Sequence, residues 1–103
     1  MTRPQDRTNA RFAGDTIVAR KPGLLEAEVD GEIVALHIGS GKCYGMNEVA
    51  SHIWSLIASP MPVLEIEASL MRRYDVGEAD CREQTAALLA ELEREGLIAV
   101  TAR

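Results

Sequence analysis

LLEAEVDGEIVALHIGSGKCYGMN, residues 24–47, is the stretch that decides the fold. Its Asp30-Gly31 dipeptide suits a two-residue type I′ hairpin, because both central positions need positive φ. That turn sets residues 24–29 against 32–38, with Val29 opposite Glu32, Ala27 opposite Val34 and Leu25 opposite Leu36. Gly39-Ser40-Gly41 reads as a three-residue second turn into residues 42–46. It places Ile38 opposite Lys42, Leu36 opposite Tyr44 and Val34 opposite Met46. One face then gathers Leu25, Ala27, Val29, Val34, Leu36, Tyr44 and Met46, the expected core face. The other gathers Glu26, Glu28, Ile33, Ala35, His37, Cys43 and Gly45, and is expected to be largely solvated. The expectation is an antiparallel meander with one wet side.

Downstream the period changes from two to about 3.6. Asn47 is a natural N-cap, its side-chain oxygen able to take an orphan N–H of the first turn. Val49, Ala50, Ile53, Trp54 and Ile57 form the first helical stripe, and Trp54 reads as a core residue. Ser59-Pro60-Met61-Pro62 breaks that helix, with Pro62 placed for the first turn of the next. Val63, Ile66, Leu70 and Tyr74 make the second buried face, with Glu65, Glu67, Arg72 and Arg73 outside. Asp80 and Glu83 resemble a capping box, with a helix start one turn earlier as the alternative. Cys81, Thr85, Leu88, Leu89 and Leu92 form the third stripe, Gly96 is a C′ residue, and Leu97, Ile98 and Val100 cover the bottom of the core. The order βββααα makes the class α+β.

Upstream, residues 1–14 lack periodicity and read as a mobile arm. Ile17-Val18-Ala19 has the composition of a short strand, ended by the Pro22-Gly23 turn. The domain reading is therefore an arm over 1–22 carrying a short strand, and one domain over 23–100. At 103 residues, 47% hydrophobic, the chain fills one modest core. Its longest uncharged run, residues 49–64, is too short to span a membrane. No basic-then-apolar segment opens the chain, which makes the cytoplasm the expected location. The net charge of −5 is split: residues 1–23 carry +3 and residues 24–103 carry −8. Such an acidic body disfavours nucleic acid as a partner.

Gly39-Ser40-Gly41-Lys42 lacks the first glycine of a phosphate loop, since Leu36 stands there, and Cys43 replaces the hydroxyl residue. It reads as a hairpin turn. His37 and Cys43 fall on the same expected face as cross-strand neighbours, yet no oxyanion donors or enclosing pocket accompany them, so no catalytic residue is assigned. The two cysteines form no CxxC, and His52 has no second ligand one turn away; no metal or other cofactor is expected. One feature survives. The last strand of the meander, residues 42–46, carries only Lys42 as an edge-blocking charge. An open edge beside an apolar groove can take an extended peptide as an added strand. The competing readings are that this edge pairs in a homodimer or is covered by residues 17–19.

With those residues in place, a resemblance becomes visible. Asp30-Gly31-Glu32-Ile33-Val34-Ala35-Leu36, then Ser40-Gly41-Lys42-Cys43-Tyr44-Gly45-Met46-Asn47, resembles the D-G-E-x-V-x-L … G-x-x-Y-x-L-N core of PqqD-like proteins. Ala50-Ser51-His52-Ile53-Trp54, Val63-Leu64-Glu65-Ile66, Arg73-Tyr74-Asp75-Val76 and Leu88-Leu89-Ala90-Glu91-Leu92 with Gly96-Leu97-Ile98 continue it at matching spacing. Met46 stands where leucine is usual, and Pro62 where Ser or Thr is usual. The resemblance is greatest to stand-alone members of lasso-peptide clusters. It implies a winged-helix-like βββααα unit, with a three-stranded antiparallel meander packed on a three-helix bundle. It also implies a non-catalytic element that binds a precursor's leader peptide as a strand. The residues it points to are Lys42, Cys43, Tyr44, Gly45 and Met46 on the strand, with Leu88, Glu91 and Leu92 on the helix. The implied partners are the precursor peptide, a leader peptidase and a macrolactam synthetase. A PqqD-type chaperone for a radical-SAM enzyme is the alternative. A winged-helix DNA-binding regulator is the other, and it fits poorly: residues 80–95 carry five acidic and two basic side chains.

Overall fold

The computed structural model describes residues 11–101. Its elements run β1 (Ile17–Arg20), β2 (Leu24–Val29), β3 (Glu32–His37), β4 (Cys43–Met46), α1 (Glu48–Leu56), β5 (Met61–Pro62), α2 (Val63–Arg73), α3 (Glu78–Arg94) and β6 (Ile98–Thr101). The meander β2-β3-β4 is one antiparallel sheet, and β5-β1-β6 is a second. Class and helix count agree with the sequence reading; the second sheet is an addition to it.

The first hairpin closes as expected. Asp30 and Gly31 sit at φ 53° and 83°, and Leu25 pairs with Leu36, Ala27 with Val34 and Val29 with Glu32. The second hairpin does not. Leu36 pairs with Cys43, Ala35 with Tyr44 and Ile33 with Met46, one residue away from the expected register. The cause is loop length. His37 donates its N–H to the Lys42 carbonyl at 2.9 Å, so the loop holds four residues, 38–41, with Gly41 left-handed at φ 73°. A one-residue slip moves every side chain to the opposite face. Tyr44 and Met46 still face inward, but on β3 the inward residues are Ile33 and Ala35. Leu25, Ala27, Val29, Val34 and Leu36, expected in the core, lie on the outer face, where Leu25 and Val29 are each 57% exposed.

The inward glutamate on β2 has work to do there. Trp54, fully buried in the last turn of α1, donates Nε1–H to Glu26 Oε2 at 2.8 Å. Arg20 donates to the other Glu26 oxygen and to the Trp54 carbonyl, and its guanidinium lies 4.5 Å from the indole centroid. One arginine at the end of β1 thus ties the two sheets to the helix between them.

The helices start and stop for local reasons. Asn47 Oδ1 accepts the Ala50 N–H at 2.9 Å, as expected of an N-cap. Pro62 precedes α2 as its N-cap and also pairs with Ile17. α3 takes the earlier start: Gly77 is the N-cap, no side-chain capping bond forms, and Asp80 falls inside the first turn. At the other end Leu97 N–H bonds the Leu92 carbonyl and Gly96 N–H bonds that of Glu93, with Gly96 at φ 78°. This is a Schellman stop, and it brings Leu97 back beside Leu92.

Two burials and one strand pairing depart from the sequence reading. Phe12, placed in an arm, is 2% exposed. Ile17–Arg20 pairs with Ile98–Thr101 across almost the whole chain length. Glu67, expected outside, is 7% exposed, and desolvation pushes its carboxyl above the ordinary carboxylate value.

Candidate functional site

The sheet ends at β4, which pairs with β3 on one side and with no strand among the described residues on the other. Residues 17–20 do not cover this edge, because they pair with β5 and β6. The direction of its backbone groups follows from the pairing. The His37–Lys42 bond fixes 37 and 42 as a hydrogen-bonded pair, and such pairs alternate along an antiparallel ladder. Tyr44 and Met46 therefore turn their amide groups toward β3, while Cys43 and Gly45 turn theirs to the open edge. At the Ile33–Met46 rung the Ser51 hydroxyl is inserted between the strands. It accepts the Ile33 N–H at 2.9 Å and donates to the Met46 carbonyl at 3.0 Å.

Facing that edge is α3. The two enclose a groove of about 350 Å³, lined on the strand side by residues 43–47 and Ala50, and on the helix side by Leu88, Glu91, Leu92, Glu95 and Leu97. Met46 and Leu92 are buried, Tyr44 and Leu88 half-buried, and Cys43, Gly45 and Glu91 exposed. Its walls are thus apolar at the floor and carboxylate-bearing at the rim. Seven of the eight site residues expected from the sequence meet here. Lys42 does not line the groove; it sits at the end of the preceding loop. Asn47, Ala50, Glu95 and Leu97 are lining residues the sequence reading did not name. For Glu95 the signal was present, since it continues the Leu88, Glu91, Leu92 helical spacing; Leu97 arrives only through the Schellman turn.

Cys43 and His37 do not form a nucleophile–base pair. The register places Cys43 opposite Leu36, not beside His37, and those two side chains fall on opposite faces of the sheet. His37 Nδ1 instead takes the Ser40 N–H at 3.2 Å within its own loop. Burial pushes the Cys81 thiol up, keeping it protonated, with Thr85 opposing that shift. His52 lies 3.0 Å from the Ser69 hydroxyl; partial burial, then the nearby Arg73, lowers its pKa. Among the described residues no cluster of three or more His, Cys, Asp or Glu could hold a metal ion, and no helix is long and apolar enough to cross a membrane.

Residues 32–98 match the family described as coenzyme PQQ synthesis protein D (PqqD). The chain belongs to the PqqD family. The matched span runs from β3 to the start of β6 and so contains both walls of the groove. Two solved structures resemble this PqqD-family chain. One is TbiB1 in complex with the TbiA(β) leader peptide, with a TM-score of 0.76 at 26% identity, covering 82% of this chain and 99% of that one. The other is a lasso peptide synthetase B1 complexed with the leader peptide, with a TM-score of 0.66 at 23% identity over 80% of this chain and 96% of that one. At that identity the second supports the shared fold alone. No curated protein matches the chain.

Proposed function

We propose that this PqqD-family chain binds the leader segment of a ribosomally made precursor peptide, as a strand added to β4 in the groove against α3. The observation that carries the reading is the unpaired β4 edge. Cys43 and Gly45 turn two N–H and two C=O groups toward a groove whose far wall is the Leu88–Leu92 face of α3. Main-chain bonds to an added strand supply affinity, and pockets for alternate side chains supply specificity. The similarity to TbiB1, solved in complex with a leader peptide, supports the same assignment.

The protein acts as an adaptor with no catalytic step of its own, in the cytoplasm. It hands the bound precursor to a leader peptidase and a macrolactam synthetase of the lasso type. The family's description favours a second reading, in which the enzyme served is a radical-SAM protein of the PQQ kind. Leader docking is common to both. A DNA-binding role conflicts with the charge of α3, where Glu78, Asp80, Glu83, Glu91 and Glu93 outnumber Arg82 and Arg94.

Fluorescence anisotropy tests the proposal, with a labelled synthetic leader of a candidate precursor peptide and a labelled DNA duplex, both at moderate salt. Saturable leader binding with none to the duplex is expected. Tight duplex binding without leader binding would overturn the assignment.

A further inference from the structure

The meander has a second open edge. β2 pairs with β3, and no other strand among the described residues flanks it. The Ile38 N–H bonds the Gly23 carbonyl at 3.0 Å, which fixes 23 and 38 as a hydrogen-bonded pair. Such pairs alternate along an antiparallel ladder. Leu25, Ala27 and Val29 therefore turn their amides to β3, while Glu26 and Glu28 turn theirs outward. Soluble proteins commonly block such an edge with lysine, proline, a bulge or a cover. β2 contains neither lysine nor proline, runs without a bulge from Leu24 to Val29, and is exposed at every residue after the first.

We propose that the open edge of β2 is a second strand-docking site, and that it takes an extended segment of a partner protein in which basic side chains alternate with apolar ones. The inference goes beyond the leader-binding reading and does not rest on it. Where both hold, one continuous sheet joins the leader at β4 to the protein that uses it at β2.

Charge selects the occupant. Strand alternation puts Glu26 and Glu28 on the inner side of β2, and Leu25, Ala27 and Val29 on the outer side. Glu26 is already matched, since its two carboxylate oxygens accept from Arg20 and from Trp54. Glu28 has no ion-pair partner among the described residues. It borders a hollow of about 340 Å³ that Ile33 and Ser55 also line. It borders a second hollow with Glu48, His52 and Arg73. Partial burial, then Arg73, favours the neutral form of His52, so carboxylates outnumber cations there. A basic side chain on the inner side of an added strand meets Glu28 as an opposite-charge cross-strand pair. An apolar side chain on the outer side covers Leu25 or Val29, each more than half exposed.

The same carboxylates disfavour a second copy of this chain. Two β2 strands paired antiparallel, with their inner sides shared, set the glutamates of one directly against those of the other. Like charges so placed are destabilising.

The probes are two short synthetic peptides, one alternating lysine with valine and the other glutamate with valine. Each is titrated at moderate salt into the isotope-labelled full chain, with amide shifts and amide hydrogen exchange as readouts. The lysine peptide is expected to shift the Glu26 and Glu28 amides and slow their exchange. The glutamate peptide is expected to bind about fivefold or more weakly. Glu28→Gln should remove most of that preference, and Glu28→Lys should reverse it. Both substitutions are at an exposed position, and thermal melts confirm the fold. No protection at Glu26 and Glu28 by the lysine peptide would overturn the proposal. Equal affinity for the two peptides would also overturn it, by making the edge unselective. Protection of these amides by self-association, without peptide, would assign the edge to a second copy instead. The Cys43 and Gly45 amides report the β4 edge in the same spectra, so failure at β2 leaves the leader-binding reading untouched.

Discussion

Glu67 and Leu92 illustrate what single positions reveal and conceal. Glu67 stands four residues after Val63 and three before Leu70, so helical spacing places it on the buried face; only its charge argued for solvent. Its carbonyl lies against Cys81 of α3, where α2 and α3 pack. The consequence has a definite sign. A carboxyl whose folded pKa lies above its unfolded value holds its proton longer in the native state, so stability falls as pH rises between the two values. Glu67→Gln removes that component. The variant is expected to gain melting temperature relative to wild type as pH goes from 4 to 7, measured by parallel thermal melts. Leu92 was legible as a stripe residue, but core and groove readings of it were equally consistent with its spacing. It is both, being 6% exposed and in the groove lining. Leu92→Ala is expected to weaken leader binding by ~1–3 kcal/mol through lost apolar contact. Denaturant melts beside the titration separate the two roles: a stability loss with unchanged leader affinity in the folded fraction removes Leu92 from the site.

Among the elements, turns with an obligatory backbone geometry were readable and loops without one were not. Asp30-Gly31 admits one hairpin, and the β2–β3 register followed from it. Gly39-Ser40-Gly41 admits loops of three or four residues, and the alternation that might have decided between them was misleading. On β3, Ile33 and Ala35 compete evenly with Val34 and Leu36 for the core. On β2 Leu25, Ala27 and Val29 face outward, and only Leu24 of its six residues is half-buried. The groove side of β4 was nevertheless placed correctly, since Tyr44 and Met46 face inward in either register. The true register also fixes which amides are free, and a proline scan of β4 reads this directly. Tyr44→Pro and Met46→Pro place the ring on the side bonded to β3 and are expected to be visibly destabilised. Cys43→Pro and Gly45→Pro remove an N–H that faces the open edge, so they should stay folded while losing leader affinity. Calorimetric titration with circular dichroism melts distinguishes the pairs. Normal leader binding by every variant that folds would mean the peptide does not add to this strand.

At the scale of the whole molecule, what escaped the sequence was long-range pairing. β5 is two residues long, and β1, though legible as a strand, meets β6 at a separation of about eighty residues, so no local signature shows which strands pair. Yet this second sheet closes the core: Val18 and Ile98 are fully buried and Phe12 nearly so. Arg20 carries the sheet's connection onward to Trp54 and Glu26. Arg20→Ala leaves the Trp54 carbonyl without that donor and removes the cation from the indole face, a loss expected to cost ~1–3 kcal/mol. Because Arg20 lies outside the groove lining, leader affinity in the folded fraction should be unchanged. Removal of residues 1–20 is the harsher test. It strips β6 of its partner and uncovers Ile98, Leu97 and the far side of Trp54, and Leu97 is also a wall of the groove. The shortened chain is expected to melt broadly, to bind a dye specific for exposed apolar surface, and to lose leader affinity along with its fold. A sharp, wild-type-like melt with intact leader binding would mean that β2 through α3 stand on their own. The second sheet would then be an accessory to the peptide-binding unit rather than part of its foundation.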